Sequence, residues 1–329
     1  VRIKNKKILD QFMGGGTSVV EASRFGAEVT GNDLNPVAWF VTKKEVEGGK
    51  TDPDELKKGF ESVKKDVGEE LKDYYRTSCP NGDHDADVMY YFWAKELDCI
   101  SCGSTVSLFN DYRIGKGRYD HKGTYSVYCP HCERIIHVED WQSECTCTEC
   151  GRNFEPKNGT AGHGKYTCRD CGQKYSVTDA IDEQDGFDLH LYALEYYCPI
   201  CEEHPDRSKS ELKGYKPAEK RDVELYEEVK NEWAVAEELN EYVPTEKITE
   251  GAITASSSVS GNDVFNHGYK KWADMFSDRQ LLCLSKLLRS ISQIENQNVK
   301  EYLLLAFSDS LRTNCMLTTY THARNSVEH

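Results

Sequence analysis

Ten of the fourteen cysteines fall in five Cys-x2-Cys pairs: Cys99/Cys102, Cys129/Cys132, Cys147/Cys150, Cys168/Cys171 and Cys198/Cys201. At that spacing two thiolates reach one tetrahedral zinc while the backbone turns around it. A redox Cys-x2-Cys would sit between a strand and a helix of a βαβ unit, whereas these pairs sit in polar, turn-rich sequence. Val1 to Asp10 is too short and too charged for a signal peptide, so reduced thiols are expected rather than disulfides. The spacing Cys147-x2-Cys150-x17-Cys168-x2-Cys171 fits a zinc ribbon. Cys99/Cys102 then pairs with Cys129/Cys132 across a longer arm, which gives about two zinc ions. Cys198/Cys201 is left over, with His204 or His190 as companions or as a pair that displaces another, and Cys145 adds an alternative. Zinc held by four cysteines leaves no position for water, so these metals are expected to hold the fold rather than to do chemistry. Cys79, Cys283 and Cys315 stand alone, the last two in apolar helical patterns.

A second constellation lies at Asp10-Gln11-Phe12-Met13-Gly14-Gly15-Gly16-Thr17. An apolar strand over residues 3–9 enters this turn. A helix carrying Val19, Val20, Ala22 and Phe25 leaves it, Gly26 stops the helix, and Ala27 to Gly31 reads as a second strand ending at Asn32-Asp33. Glycines between a strand and a helix let backbone approach a ligand where a Cβ would collide. An acid at the end of the next strand can accept from both ribose hydroxyls. The dinucleotide pattern GxGxxG is absent, and no Gly-Lys-Ser/Thr follows for a phosphate-binding loop. A phosphate-free nucleoside such as S-adenosylmethionine therefore fits better than NAD or ATP. The plain alternative is a turn with a helix-capping Asp.

The elements that must position these residues follow from patterning. Asn35-Pro36 opens a helix through Trp39, Phe40 and Val41. Asp52-Pro53 opens another, with Leu56, Phe60, Val63, Val67 and Leu71 at helical spacing. Val88 to Trp93 is strand-like, and Glu202 to Lys220 reads as a charged linker before a helix through Tyr226, Val229 and Trp233. Residues 244–268 read as a long loop rich in Ser, Thr and Gly. Ser277 to Gln280 resembles a capping box ahead of the stripe Leu281, Leu284, Leu288, Ile291, and a last helix carries Tyr302, Leu303, Phe307 and Leu311. The 329 residues allow two or three domains. With 41 Lys plus Arg against 56 Asp plus Glu the formal charge is −15, which opposes wholesale binding to nucleic-acid phosphate. No run reaches the roughly 18 apolar residues of a membrane helix, so no membrane partner and a cytoplasmic location are expected.

The turn at Asp10 to Thr17 resembles the DPFMGGGT cofactor motif of amino-group DNA methyltransferases, and Gly31-Asn32-Asp33-Leu34-Asn35-Pro36 resembles the segment that follows it. Together with Tyr91-Phe92-Trp93-Ala94-Lys95, Leu303 to Ser310 and the zinc region between, nearly the whole chain resembles the zinc-ribbon-containing, adenine-specific DNA methylases. The resemblance implies an α/β protein: a partial Rossmann-like methyltransferase domain with an inserted zinc-ribbon region and C-terminal helices. In this reading 1–48 start the cofactor domain, 49–95 are a helical connector and 96–204 the zinc insertion. Residues 205–268 are linker and helix, and 269–329 return to the methyltransferase domain. It implies methyl transfer to adenine N6 of double-stranded DNA, and restriction-modification by analogy. Asp10, Phe12, Gly14, Gly15 and Gly16 would line the methionine side of S-adenosylmethionine, Asp33 would hold the ribose, and Asn35 would stand beside it. Gln11 replaces the usual proline of the motif.

The family's Asp/Asn/Ser-Pro-Pro-aromatic loop, which accepts from the target amino group and stacks on the flipped base, is missing, because no two of the nine prolines are adjacent. No catalytic residue is therefore assigned. The expectation is an internal piece of a longer enzyme, inactive alone, with N- and C-terminal portions elsewhere. Residues 99 to 150 carry five Lys/Arg and seven Asp/Glu, and four thiolates around zinc add about two negative charges. Only the hairpin Tyr112 to Tyr119, with Arg113, Lys116 and Arg118 among aromatics, offers a local contact to a backbone or base, against a plain solvated turn. The competing function is a non-catalytic zinc-ribbon scaffold or nucleic-acid-binding protein with a vestigial cofactor motif.

Overall fold

The computed structural model describes residues 3–184, 186–249, 251, 265, 269–322 and 324–328. The chain divides into two compact units, one of Val1–Glu69 with Cys283–Asn314 and one of Glu70–Leu282 with Cys315–His329. The first unit opens with Lys7–Asp10 (β1) and Glu28–Gly31 (β2), a parallel pair in register from Lys7 opposite Glu28 to Asp10 opposite Gly31. Thr17–Arg24 (α1) connects them. Pro36–Glu47 (α2) starts where the Asn35 side chain accepts from the Val37 N–H at 2.9 Å, with proline at the first position, where its missing N–H costs nothing. Pro53–Asp73 (α3) starts in the same way, Asp52 Oδ1 accepting from Asp54 N–H at 2.9 Å. It buries Val63 and Val67, while Phe60 of the same stripe is exposed.

The second unit is built on antiparallel strands. Arg76–Ser78 (β3), Asp85–Asp98 (β4) and Thr105–Ser107 (β5) come first. Small strands follow: Arg113–Lys116 (β6), Tyr125–Tyr128 (β7), Ile135–Val138 (β8), Cys145–Thr146 (β9), Asn153–Phe154 (β10), Ala161–Gly162 (β11), Lys165–Thr167 (β12) and Lys174–Ser176 (β13). After Val177–Gln184 (α4), the long Asp188–Tyr197 (β14) returns along β4. Pro199–Glu202 (α5), Lys209–Leu212 (α6), Lys213–Pro217 (β15) and Lys220–Val235 (α7) complete this part. The main sheet runs β15-β14-β4-β3, with β5 on the far end of β4. On β4 Ala86 and Val88 are buried in one apolar cluster, Phe92 and Ala94 in a second and Leu97 in a third, with a register shift against β14 between Val88 and Tyr90.

The charged linker expected over 202–220 is corrected here, because it contains a strand of the main sheet. The sequence Lys-Gly-Tyr-Lys-Pro is a poor strand former, yet both lysines have internal partners. Lys213 pairs with Glu195 at 3.2 Å. Lys216, 5% exposed, donates to Thr77 Oγ1 at 3.1 Å and to the Ser78 carbonyl at 3.0 Å, and pairs with Glu219 at 3.0 Å. Most of the loop expected over 244–268 lies outside the described residues. Thr319–Thr321 (β16) and Ser326–Glu328 (β17) form a hairpin whose Tyr320 meets Phe92 edge-on at 4.9 Å.

Asp278–Ser292 (α8) starts at a reciprocal cap between Ser277 and Gln280, and Gln297–Leu311 (α9) starts at Asn296. Within the first unit, α2 and α9 are joined by a buried ammonium. Lys44, 1% exposed, donates to Glu301 at 2.8 Å, Glu47 at 2.8 Å and Asn298 at 2.7 Å, which uses all three of its protons. Tyr302 donates to the Lys44 carbonyl at 2.6 Å and sets its ring 4.5 Å from the ammonium. Hydrogen bonds from Lys44 and Lys43 hold the Glu301 carboxyl at about 2, well below its ordinary 4.5. A depressed acid stabilises fully above its unfolded value and loses that contribution as pH falls. Glu301→Gln should thus lower stability by about 2 kcal/mol at pH 7, and the difference from the parent should shrink as pH drops from 4.5 towards 2 in denaturant titrations.

Candidate metal centres and cofactor turn

One turn occurs four times in the second unit. Cys99 N–H donates to the Ser104 carbonyl and Gly103 N–H to the Cys99 carbonyl, both at 2.8 Å. The same two bonds, i to i+5 and i+4 back to i, recur from Cys129, Cys147 and Cys168 at 2.8–2.9 Å. The residue after the second cysteine must then adopt a left-handed backbone. Glycine supplies it at Gly103, Gly151 and Gly172 (φ 71°, 71° and 73°), and Glu133 does so at φ 61°. Each turn points two sulfurs the same way. Cys198/Cys201 is built differently: Cys198 caps α5, whose helical turn carries the pair.

The turns meet in a nested order. Cys99, Cys102, Cys168 and Cys171 form one group, and Cys129, Cys132, Cys147 and Cys150 another. The pairing expected from Cys150-x17-Cys168 is therefore corrected, as is that of Cys99/Cys102 with Cys129/Cys132. Two contacts decide it. The outer group sits in an apolar cluster that joins Leu97 and Val106 of the β4–β5 hairpin to Tyr166 and Ala180 of β12 and α4. The inner group closes across Cys132-x14-Cys147 and shares a core with Val127, Ile136 and Phe154. Sulfur separations are 3.6 Å for Cys99–Cys171 and Cys102–Cys168, 3.9 Å for Cys129–Cys150 and 3.7 Å for Cys132–Cys147. Zinc–sulfur bonds of about 2.3 Å set tetrahedral edges of about 3.8 Å, so these donor sets could hold zinc.

A third group joins the leftover pair to Cys79 and His84, not to His204 or His190. Sequence reasoning had left Cys79 alone and did not mark His84. His190 instead lies 3.2 Å from Ser107 and 3.4 Å from Glu96. Among the described residues three donor groups thus stand where two were expected, and Cys145 belongs to none of them. Burial pushes the Cys129 thiol up to about 12, whereas the Ser104 hydroxyl draws Cys102 down to about 6. Crowded buried thiols do not ionise together unaided, so a metal taken up here would expel protons as it bound.

In the first unit, the glycine turn lies at the carboxyl ends of the parallel pair. Asp33 Oδ2 accepts from Gly14 N–H and Oδ1 from Asn35 N–H, both at 2.8 Å, and these bonds hold its carboxyl below the usual range. Asp10 folds back on the turn, accepting from Phe12 N–H at 3.1 Å and from the Ser18 hydroxyl. At Gly16 (φ 82°) a Cβ would collide with Thr42. Around Gly14 and Gly15 a Cβ would meet nothing within 4 Å. Phe12, two residues after Asp10, and Leu34, next to Asp33, are 84% and 96% exposed. The arrangement offers an anionic acceptor and an open glycine backbone beside two exposed apolar side chains.

No protein-family model matches the chain, and no solved structure matches it. A stretch of 112 residues is 28% identical to the Type II methyltransferase M.MvaI of Kocuria varians. The chain has weak, partial similarity to a methyltransferase. The likeness covers 34% of this chain and spans about a quarter, 24%, of that protein's length. No helix among the described residues is long and apolar enough to cross a membrane.

The basic hairpin expected over Tyr112 to Tyr119 turns most of its charge inward. Arg113 lies 4.0 Å from the Trp141 ring, and Arg118 pairs with buried Glu195 at 3.0 Å, leaving Lys116 as its exposed cation. A cavity of about 190 Å3 between the Cys129 and Cys168 turns is lined by Phe109, Tyr112, Tyr128, Arg169 and His190. Its three rings are buried against one another and present no free stacking face. The nested pairing is tested by double substitutions read as zinc per chain. Cys129→Ser with Cys147→Ser should cost one ion, and Cys147→Ser with Cys168→Ser two; sequential pairing demands the opposite. At the one turn that lacks glycine, Glu133→Gly should stabilise by about 1 kcal/mol, measured as a rise in Tm.

Proposed function

We propose that the chain is the cofactor-binding and zinc-ribbon portion of an S-adenosylmethionine-dependent DNA methyltransferase acting on the amino group of adenine. The observation that carries this reading is the open backbone at Gly14 and Gly15 beside an Asp33 carboxylate fixed by two main-chain N–H groups. The donor set suits a nucleoside without phosphate. Asp33 stays ionised at neutral pH and keeps lone pairs for two ribose hydroxyls. Leu34 offers an apolar face to a base, and Phe12, Gly14, Gly15 and Gly16 border the space for the amino-acid end. Asp10 holds the turn closed, and Asn35 fixes the start of α2 next to Asp33. S-adenosylmethionine would supply an electrophilic methyl group. Zinc in the two four-cysteine groups would hold the ribbons of the second unit in shape.

A Pro-Pro-aromatic loop does not occur in these 329 residues. Polarisation of the adenine amino group is therefore assigned to residues outside them, and this stretch alone should not methylate. The partial likeness to a Type II methyltransferase supports the same reading. The second reading, a zinc-ribbon scaffold with a vestigial turn, is favoured by the inward-facing cations of the hairpin.

Isothermal titration with S-adenosylmethionine separates the two. Binding should be measurable, Asp33→Ala should weaken it at least tenfold, and Asp33→Asn, which keeps an acceptor for Asn35, should weaken it less. A fully zinc-loaded protein that neither binds the nucleoside nor melts higher in its presence would establish the scaffold.

A further inference from the structure

We propose that Cys79, His84, Cys198 and Cys201 hold a third zinc ion, a three-sulfur, one-nitrogen centre that clips the β3–β4 turn to the α5 turn at one end of the main sheet. The proposal is independent of the cofactor turn. The donors come from segments more than a hundred residues apart, yet Cys79 and Cys201 sulfurs lie 3.6 Å apart. His84 Nε2 is 3.1 Å from Cys198 Sγ and 3.4 Å from Cys201 Sγ. Bonds of about 2.3 Å to sulfur and 2.0–2.1 Å to nitrogen give tetrahedral edges of about 3.8 and 3.5 Å, close to these separations. A disulfide would need sulfurs about 2.05 Å apart.

The surroundings are those of ligands. Asn81 N–H points at Cys79 Sγ at 3.4 Å, and Cys201 N–H at Cys198 Sγ at 3.3 Å, bonds that stabilise thiolate. Arg207 fixes the Asn81 carbonyl at 2.8 Å. The imidazole is aimed by the backbone: a Cβ on Gly82 would stand 2.5 Å from its Cε1, so only glycine lets the ring fold back over the turn. Two residues before Cys79, Thr77 donates to buried Asp222 at 2.6 Å and accepts from Lys216, which ties this turn to β15 and α7. Cys79, Cys198 and Cys201 are 6%, 0% and 0% exposed, so the ion would be closed to water and its role structural.

Metal analysis of the whole chain should find three zinc ions, and X-ray absorption at the zinc edge should fit eleven sulfur donors and one nitrogen in twelve. His84→Ala should leave two ions, and adding Cys102→Ser should leave one. Because His84→Ala could unfold the protein, His84→Cys is the companion: it should keep three ions and lose the nitrogen contribution. Two ions in the parent protein, three in His84→Ala, or a nitrogen shell that persists in His84→Cys would each overturn the proposal.

Discussion

Four donors around one ion must sit at the corners of a tetrahedron a few ångströms on edge, and three groups of side chains among the described residues of the second unit meet that constraint. The strands between residues 105 and 176 are two to four residues long, too short for free-standing hairpins. Two apolar clusters hold them, with Cys129 and Cys147 as members of one and Cys99 and Cys168 of the other, and a third at the end of the main sheet contains Cys79, Cys198 and Cys201. Packing sulfur into a core brings several weakly acidic groups together. A cation that turned them into ligands would convert this crowding into binding free energy, and folding of this unit would then be coupled to metal uptake.

The local parts of this design were legible in the sequence, and the pairing was not. A Cys-x2-Cys followed by glycine encodes its own turn, because the left-handed residue after the second cysteine is a local requirement. Which turns meet is a property of the sheet. Cys99 directly follows the long strand β4, and the packing of the β4–β5 hairpin against β12 and α4 carries it to Cys168. Cys79 and His84 share no short repeat with Cys198, although an odd number of pairs left two donors unaccounted for. A sixth pair could have been sought in the Pro-Asn-Gly-Asp turn that separates them. The same limit hid β15, whose lysines look like linker until Glu195, Glu219, Thr77 and the Ser78 carbonyl are found opposite them.

Electrostatics acts in the same direction. Two centres with four thiolates and one with three would add about five negative charges to a chain already at −15. Cations are therefore scarce, and several serve inside. Glu195, 1% exposed on the central strand β14, draws Arg118 from one side and Lys213 from another, and Tyr320 donates to it at 3.3 Å. An acid in the apolar run Ala193-Leu194-Glu195-Tyr196 is a sequence signal that some cation must turn inward, and here it took one from the hairpin that looked best suited to phosphate.

The glycines of the cofactor turn separate what folding requires from what it does not. Gly16 is needed twice, for its φ of 82° and because Thr42 fills the space of a side chain; Gly31 is needed because Met13 and Val19 pack on it. Gly14 has a conformational reason, at φ 51°. Gly15 has neither, since it needs no left-handed backbone and a Cβ there would face open space. A side chain at this position would strain nothing in the unit and would lower the entropy lost on folding. The proposed cofactor would use this bare backbone, since nothing within the unit calls for it.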